Sequence, residues 1–85
     1  MQIEEQFQTA VKESKELSQK PSNEMMLLLY ALYKQSTLGD ATEDAAPENA
    51  FDFVAKAKYN AWEAHKGKSK EVAMQEYVAL VEKLK

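Results

Sequence analysis

The fold depends on the segment LYALYKQSTLGD, residues 29–40 of this 85-residue chain. Tyr30, Tyr33 and Lys34 are spaced i, i+3, i+4 within it, so on a helix their side chains stand together on one face. Two hydroxylated rings beside an ammonium suit a ligand with a flat base and a phosphate. In the alternative interpretation the tyrosines are core residues with wet hydroxyls, and the lysine stem lies along them. The segment alone leaves both interpretations open.

The same segment completes a helix that we expect to run from Met25 to about Leu38. Ser22 or Asn23 suits its N-cap, and Gly39 stands where a left-handed terminating residue is favoured. The helix is apolar around much of its circumference. It must therefore contact neighbours on two sides, or one neighbour and an apolar ligand.

Three further helices are predicted around this one. Apolar side chains at helical spacing predict the first from about Glu4 to Leu17, and the third from Phe53 to about His65 with Asp52 as its cap. Ser69 suits the cap of the fourth, after a break at Gly67. The fourth helix has the clearest apolar stripe, which consists of Ala73, Tyr77, Leu80, Val81 and Leu84.

The connection at residues 39–51 has no hydrophobic periodicity. Extended, it can span about 40 Å, whereas the helix before it is only ~25 Å long. The chain can therefore return to the start of the second helix, and helices two and three need not be antiparallel. Since no segment alternates like a strand, we predict an all-α, four-helix bundle with a long crossover between helices two and three.

Composition limits the possible functions. Without cysteine, the chain has no disulfide and no thiolate metal site. A net charge of −3 argues against binding to nucleic acid, although residues 51–85 hold seven lysines against five acids and suit a small polyanion. The acidic start differs from a signal peptide, and no apolar run reaches the ~20 residues of a membrane span. We expect a cytoplasmic protein without stable membrane insertion.

No group of residues has the pattern of a catalytic or metal site. His65 is the single histidine and has no cysteine beside it. No serine lies in a glycine-flanked nucleophile turn, and two glycines cannot form a glycine-rich phosphate loop. We therefore expect no enzyme activity, no metal and no cofactor.

Several segments follow one another in the order and spacing of a known family. They are KP at 20–21, YALYKQSTLGD at 30–40, DF at 52–53, KAKYNAW at 56–62 and KGKSKEVAMQEY at 66–77. In these segments the chain resembles the acyl-CoA-binding protein family along nearly its whole length. The resemblance implies a single domain over residues 1–85, with helices in up-down-down-up order, that binds acyl-CoA thioesters without transforming them.

The resemblance also implies a set of ligand-binding residues. Those expected around the nucleotide and its 3′-phosphate are Lys15, Tyr30, Tyr33, Lys34, Lys58 and Tyr77. Those expected to line the groove for the acyl chain are Phe7, Val11, Met26 and Leu27. The chain departs from the family pattern at Ser14, at Tyr59, in a longer crossover, and at Val54, where the family commonly has a lysine.

The leading prediction is a monomeric carrier of medium- to long-chain fatty acyl-CoA that supplies acyl-CoA-using enzymes. The alternative is a helical interaction module whose groove accepts an amphipathic partner helix. In that case Tyr30, Tyr33 and Tyr77 would be interface anchors, and coenzyme A would compete poorly.

Overall fold

Four α-helices account for most of residues 2–85, the part of the chain that a computed structural model describes. They are α1, Ile3–Ser14; α2, Asn23–Thr37; α3, Phe53–Glu63; and α4, Lys70–Leu84. One turn of 3-10 helix, Glu43–Ala45, lies in the crossover between α2 and α3. The described residues contain no strand, so the all-α prediction is confirmed.

Three of the helices begin at side-chain caps that the sequence predicts. Ser22, Asp52 and Ser69 each accept a hydrogen bond from the backbone N–H three residues later, at 3.0 to 3.2 Å. Each cap satisfies a donor that the first turn of a helix leaves without an intrahelical partner. At α2 the cap is Ser22, and Asn23 is the first helical residue.

The first helix is shorter than predicted, since it ends at Ser14 and not at Leu17. Its last turn tightens: the N–H of Lys15 bonds to the carbonyl of Lys12, three residues back, at 3.2 Å. The Ser14 hydroxyl donates to the Val11 carbonyl at 2.7 Å. It thereby competes with backbone N–H groups for that carbonyl at the end of the helix.

The third helix also ends early, at Glu63 instead of His65. The N–H of His65 bonds to the carbonyl of Trp62, three residues back, so a tight turn replaces the last helical turn. Gly67 follows with φ of +92°, a conformation that favours glycine.

The contacts between helices give their directions. Phe7, early in α1, packs on Tyr77 of α4, and Glu13, late in α1, pairs with Lys85 beyond the end of α4 at 2.9 Å. These two helices therefore run the same way. Gln35, close to the end of α2, donates from its Nε2 to the carbonyl of Lys68, just before α4. The end of α2 therefore meets the start of α4, and these two helices run in opposite directions.

The second and third helices are parallel to each other. Lys58, midway along α3, lies over Tyr30, midway along α2. Trp62, near the end of α3, lies beside Lys34 and donates to the carbonyl of Gly39, just beyond the end of α2. The long crossover makes this possible, because it returns the chain to the start of α2. The order is up-down-down-up, as the resemblance implies.

The core lies between α1, α2 and α4, and α3 packs beside it against α2. The buried apolar cluster consists of Phe7, Ala10, Leu32, Ala73, Tyr77 and Val81. Trp62 is the buried residue of α3. The first residues of α3, Phe53 and Val54, stay exposed, and a groove is open between them and α2. None of the helices within residues 2–85 is long and apolar enough to cross a membrane.

Asp40 fixes the end of α2 to the turn between α3 and α4. Its Oδ1 accepts hydrogen bonds from Gln35 Nε2 and from the N–H of Gly67, both at 2.8 Å. The bond from Gly67 and the bond from Gln35 lower the pKa of Asp40. Beside them, Trp62 Nε1 donates to the carbonyl of Gly39 at 2.8 Å. The end of α2 is thus held in place.

Candidate ligand-binding site

Tyr30 is the residue on which two positively charged side chains converge. The ammonium of Lys34, from α2, lies 5.7 Å from its ring centre, and that of Lys58, from α3, lies 5.3 Å away. Lys34 is also 5.7 Å from the ring of Trp62. Contact with an aromatic face stabilises a cation while leaving its N–H donors available to an anion. Two helices thus place two ammonium groups at one ring.

An aromatic cavity of about 350 Å³ opens between α1, α2 and α4. Its lining residues are Val11, Ser14, Lys15, Pro21, Met26, Leu29, Tyr30, Tyr33 and Tyr77. Three phenol rings give flat faces, and Lys15 and Ser14 supply polar groups at the edge. Such a cavity suits a planar group that carries hydrogen-bonding atoms and negative charge.

The rings of the aromatic cavity are held by the core behind them. Tyr77 is 4% exposed, and its hydroxyl donates to Ser14 Oγ at 3.1 Å. Burial raises the pKa of Tyr77, so the phenol stays neutral. Phe7 lies 5.9 Å from the ring of Tyr33 and meets Tyr77 edge-on at 5.1 Å. Two of the three rings of the cavity wall, Tyr33 and Tyr77, are therefore packed against Phe7 within the protein itself.

An apolar cavity of about 570 Å³ lies on the other side of α2, against α3. Its lining residues are Asn23, Met26, Leu27, Tyr30, Phe53, Val54, Ala57 and Lys58. Met26 and Tyr30 line both cavities, so the two adjoin across these side chains. One molecule with a planar, anionic part and an apolar tail can therefore occupy both.

The family model for acyl CoA binding protein matches residues 4–81. The chain belongs to the acyl-CoA-binding protein family. The acyl-CoA-binding protein of Dictyostelium discoideum is 51% identical over 78 residues, which cover 92% of this chain and 90% of that protein. The Drosophila melanogaster acyl-CoA-binding protein homolog is 45% identical over 82 residues, 96% of this chain and 93% of its own. The sequence resemblance is thus confirmed.

A solved structure of the family has the same fold. The crystal structure of Oryza sativa acyl-CoA-binding protein 2 superposes with a TM-score of 0.88 at 40% identity, and covers 98% of this chain and 90% of that one. The agreement extends from the first helix to the last, so the four-helix arrangement of this chain is that of the family.

The residues predicted from the family likeness lie in different parts of this site. Lys15, Tyr33 and Tyr77 line the aromatic cavity together with Val11. Lys58 and Leu27 line the apolar cavity, Met26 and Tyr30 line both, and Lys34 lies over Tyr30. Phe7, predicted to line the acyl groove, is 1% exposed and lies behind the rings. It can act on a ligand only by holding Tyr33 and Tyr77.

Asn23 and three residues of α3 line the apolar cavity but are absent from the predicted ligand-binding set; those of α3 are Phe53, Val54 and Ala57. Their apolar character on α3 was the available signal. It does not distinguish a core position from a groove position, because that depends on how closely α3 approaches α2.

His65 has a local structural role. Its Nδ1 lies 2.9 Å from Lys68 Nζ, which also pairs with Glu76 at 2.6 Å. Burial and the charge of Lys68 lower the pKa of His65, which keeps the ring neutral near pH 7. Within residues 2–85, no three histidine, aspartate or glutamate side chains cluster as metal ligands would.

Proposed function

We propose that this protein binds fatty acyl-CoA thioesters and carries them without chemical change. The observation that supports this most directly is the pair of adjoining cavities, one aromatic with cations at its edge and one apolar. Acyl-CoA has a planar base, phosphates and an apolar chain in the same molecule. The two cavities match these parts in chemistry and in order.

The nucleotide end is assigned to the aromatic cavity and the lysines beside it. Lys34 and Lys58 hold the 3′-phosphate over Tyr30, where two ammonium groups already lie within 6 Å of the ring centre. Tyr33 and Tyr77 flank the adenine. Lys15, exposed at the mouth of the cavity, faces the remaining phosphate charge. Lysines suit this role as point charges, and the chain has no arginine.

The acyl chain is assigned to the apolar cavity. It passes over Met26 and lies against Leu27, with Phe53 and Ala57 on the α3 side. Each methylene removed from water contributes about 0.8 kcal/mol, so medium to long chains gain substantial affinity. Val11 and Phe7 belong to the other side of α2, where Val11 lines the aromatic cavity and Phe7 supports its rings.

A carrier of this kind keeps a pool of thioester and releases it to enzymes that use acyl-CoA. We place it in the cytoplasm as a monomer, with neither nucleic acid nor a membrane as partner. The cation pair at Tyr30 favours this function over docking of an amphipathic helix. The apolar face of such a helix offers neither negative charge nor hydrogen-bond acceptors to two converging ammonium groups.

The test is a calorimetric titration with palmitoyl-CoA, run beside coenzyme A and palmitate. We expect saturable one-to-one binding of the thioester, much tighter than that of either fragment, because only the thioester fills both cavities. Thioester recovered intact after incubation would agree with a non-catalytic role. Equal, weak binding of all three compounds would reject the proposal and direct the search to a peptide.

A further inference from the structure

Ser14 and Tyr77 join α1 to α4 through a pair of hydroxyl groups at the wall of the aromatic cavity. The Tyr77 hydroxyl lies 3.1 Å from Ser14 Oγ, and both residues line the cavity. Ser14 Oγ also lies 2.7 Å from the carbonyl oxygen of Val11. Tyr77 is buried and packs edge-on against Phe7, which keeps its hydroxyl beside Ser14.

The direction of each hydrogen bond in this pair follows from what the oxygen atoms can donate. A carbonyl oxygen has no hydrogen, so the single proton of the Ser14 hydroxyl points to Val11. Between Ser14 and Tyr77 the donor is then Tyr77, whose own single proton points to Ser14 Oγ. Burial raises the pKa of Tyr77, so the phenol keeps this proton at neutral pH. The Tyr77 oxygen has only lone pairs to offer a molecule in the cavity.

An oxygen that can only accept distinguishes between the groups that a planar base carries. An amino group brings hydrogens to it, whereas a carbonyl oxygen in the same place brings only lone pairs and leaves both atoms without a partner. Adenine carries an amino group where guanine and hypoxanthine carry a carbonyl oxygen. Without Ser14, the Tyr77 hydroxyl could turn its proton toward either kind of base.

We infer that Ser14 fixes the Tyr77 hydroxyl as a hydrogen-bond acceptor toward the ligand, and so makes the site prefer adenine over a base with a carbonyl oxygen in place of the amino group. The inference rests on the proposed function, which puts the base between Tyr33 and Tyr77, and it adds a residue that sets base specificity. Ser14 is a positioning residue, because it acts through Tyr77 and needs no contact with the base.

The test compares palmitoyl-CoA with an analogue in which hypoxanthine replaces adenine, each titrated by calorimetry. Leaving one hydrogen-bonding group of a site without a partner weakens binding about tenfold, so we expect the wild type to prefer palmitoyl-CoA by about that factor. Ser14→Ala releases the Tyr77 proton, and the preference should shrink to about threefold or less. Ser14→Thr keeps a hydroxyl and should keep the preference.

Two further variants separate this role from a general loss of packing. Tyr77→Phe removes the acceptor, so the preference should shrink as in Ser14→Ala, and combining the two changes should shrink it no further. Ser18→Ala is the matched control, since it removes an exposed hydroxyl four residues after Ser14, beyond the end of α1. It should keep the wild-type preference. Circular dichroism checks that all variants are folded.

The outcomes separate this inference from the proposed function. A wild type that binds both thioesters equally, or a preference that is as large in Ser14→Ala as in the wild type, would overturn the inference while acyl-CoA binding stands. So would a further loss of preference when Ser14→Ala is added to Tyr77→Phe. If the wild type binds neither thioester, the proposed function fails and the inference fails with it.

Discussion

Lys34 and Lys58 reach the same ring from different helices, and this arrangement gives the sharpest prediction at a single residue. Replacing either lysine by alanine should weaken palmitoyl-CoA binding by about tenfold or more, since a hydrogen bond to a charged group contributes about 1.5–3 kcal/mol. Calorimetry measures the affinity. Helix content should change little, because Lys58 is exposed and Lys34 is partly exposed.

Lys56→Ala is the control for this pair. Lys56 is also exposed and lies on α3, two residues before Lys58, so the two side chains point in different directions. Its removal changes the net charge by the same amount. Unchanged affinity in both Lys34→Ala and Lys58→Ala, or an equal loss in Lys56→Ala, would contradict the phosphate assignment.

Single residues also show where sequence reasoning succeeds and where it stops. Helical spacing was enough to place Tyr30, Tyr33 and Lys34 on one face, because it depends on local geometry alone. It could not separate Phe7, buried behind the rings, from Val54, open to water in the groove. Both are apolar, and their exposure is decided by which helices dock against them.

The helices were largely predictable because their starts depend on local chemistry. Capping side chains at Ser22, Asp52 and Ser69 act on the backbone within one turn, and the structure has all three. The ends of α1 and α3 were placed too late. Both helices end in tight turns that begin several residues before the nearest proline or glycine, Pro21 after α1 and Gly67 after α3. At α1 the Ser14 hydroxyl also bonds to the backbone.

The link between α2 and the α3–α4 turn predicts a dependence of stability on pH. The folded protein lowers the pKa of Asp40 below its ordinary value of 3.8 through hydrogen bonds from Gly67 and Gln35. A carboxyl with a lowered folded pKa contributes stability above its unfolded pKa, and loses it as the pH falls through the folded value. Asp40→Asn should therefore be less stable than the wild type near pH 7.

Urea denaturation between pH 7 and pH 2 measures this effect. The difference between wild type and Asp40→Asn should be constant at neutral pH and shrink below 3.8, where the wild-type carboxyl becomes protonated. Asp44→Asn, at an exposed acid in the crossover, is the control. A wild-type advantage that persists undiminished at pH 2 would show that the charge of Asp40 is not what matters.

Over the whole molecule, the charge is unevenly distributed. The protein has a net charge of −3, yet its binding site gathers lysines from α2 and α3. Salt screens exposed charges over about 10 Å at 0.1 M. In the proposed site the lysines are the charges closest to the phosphates, so their attraction should outweigh the repulsion from distant acids. Palmitoyl-CoA affinity should therefore fall as sodium chloride rises.

Titrations at several salt concentrations test this prediction. The Lys34→Ala variant should show a shallower dependence than the wild type, because it has lost one of the screened contacts. Affinity that does not change with salt, or that increases, would mean that the acyl chain dominates binding or that the acids outweigh the lysines.

The parallel course of α2 and α3 has a consequence for the phosphate end. Both helices direct their carboxyl ends, the negative ends of their dipoles, toward the side of the site where Lys34 and Trp62 lie. Many proteins bind phosphate at the positive N-terminus of a helix, with backbone N–H groups as donors. Under the proposed assignment, the positive N-termini of α2 and α3 lie instead at the end of the site that holds the uncharged acyl chain. If Lys34 and Lys58 were neutralised, for example by acetylation, a phosphate bound there would meet only the negative ends of the two helix dipoles, which repel it.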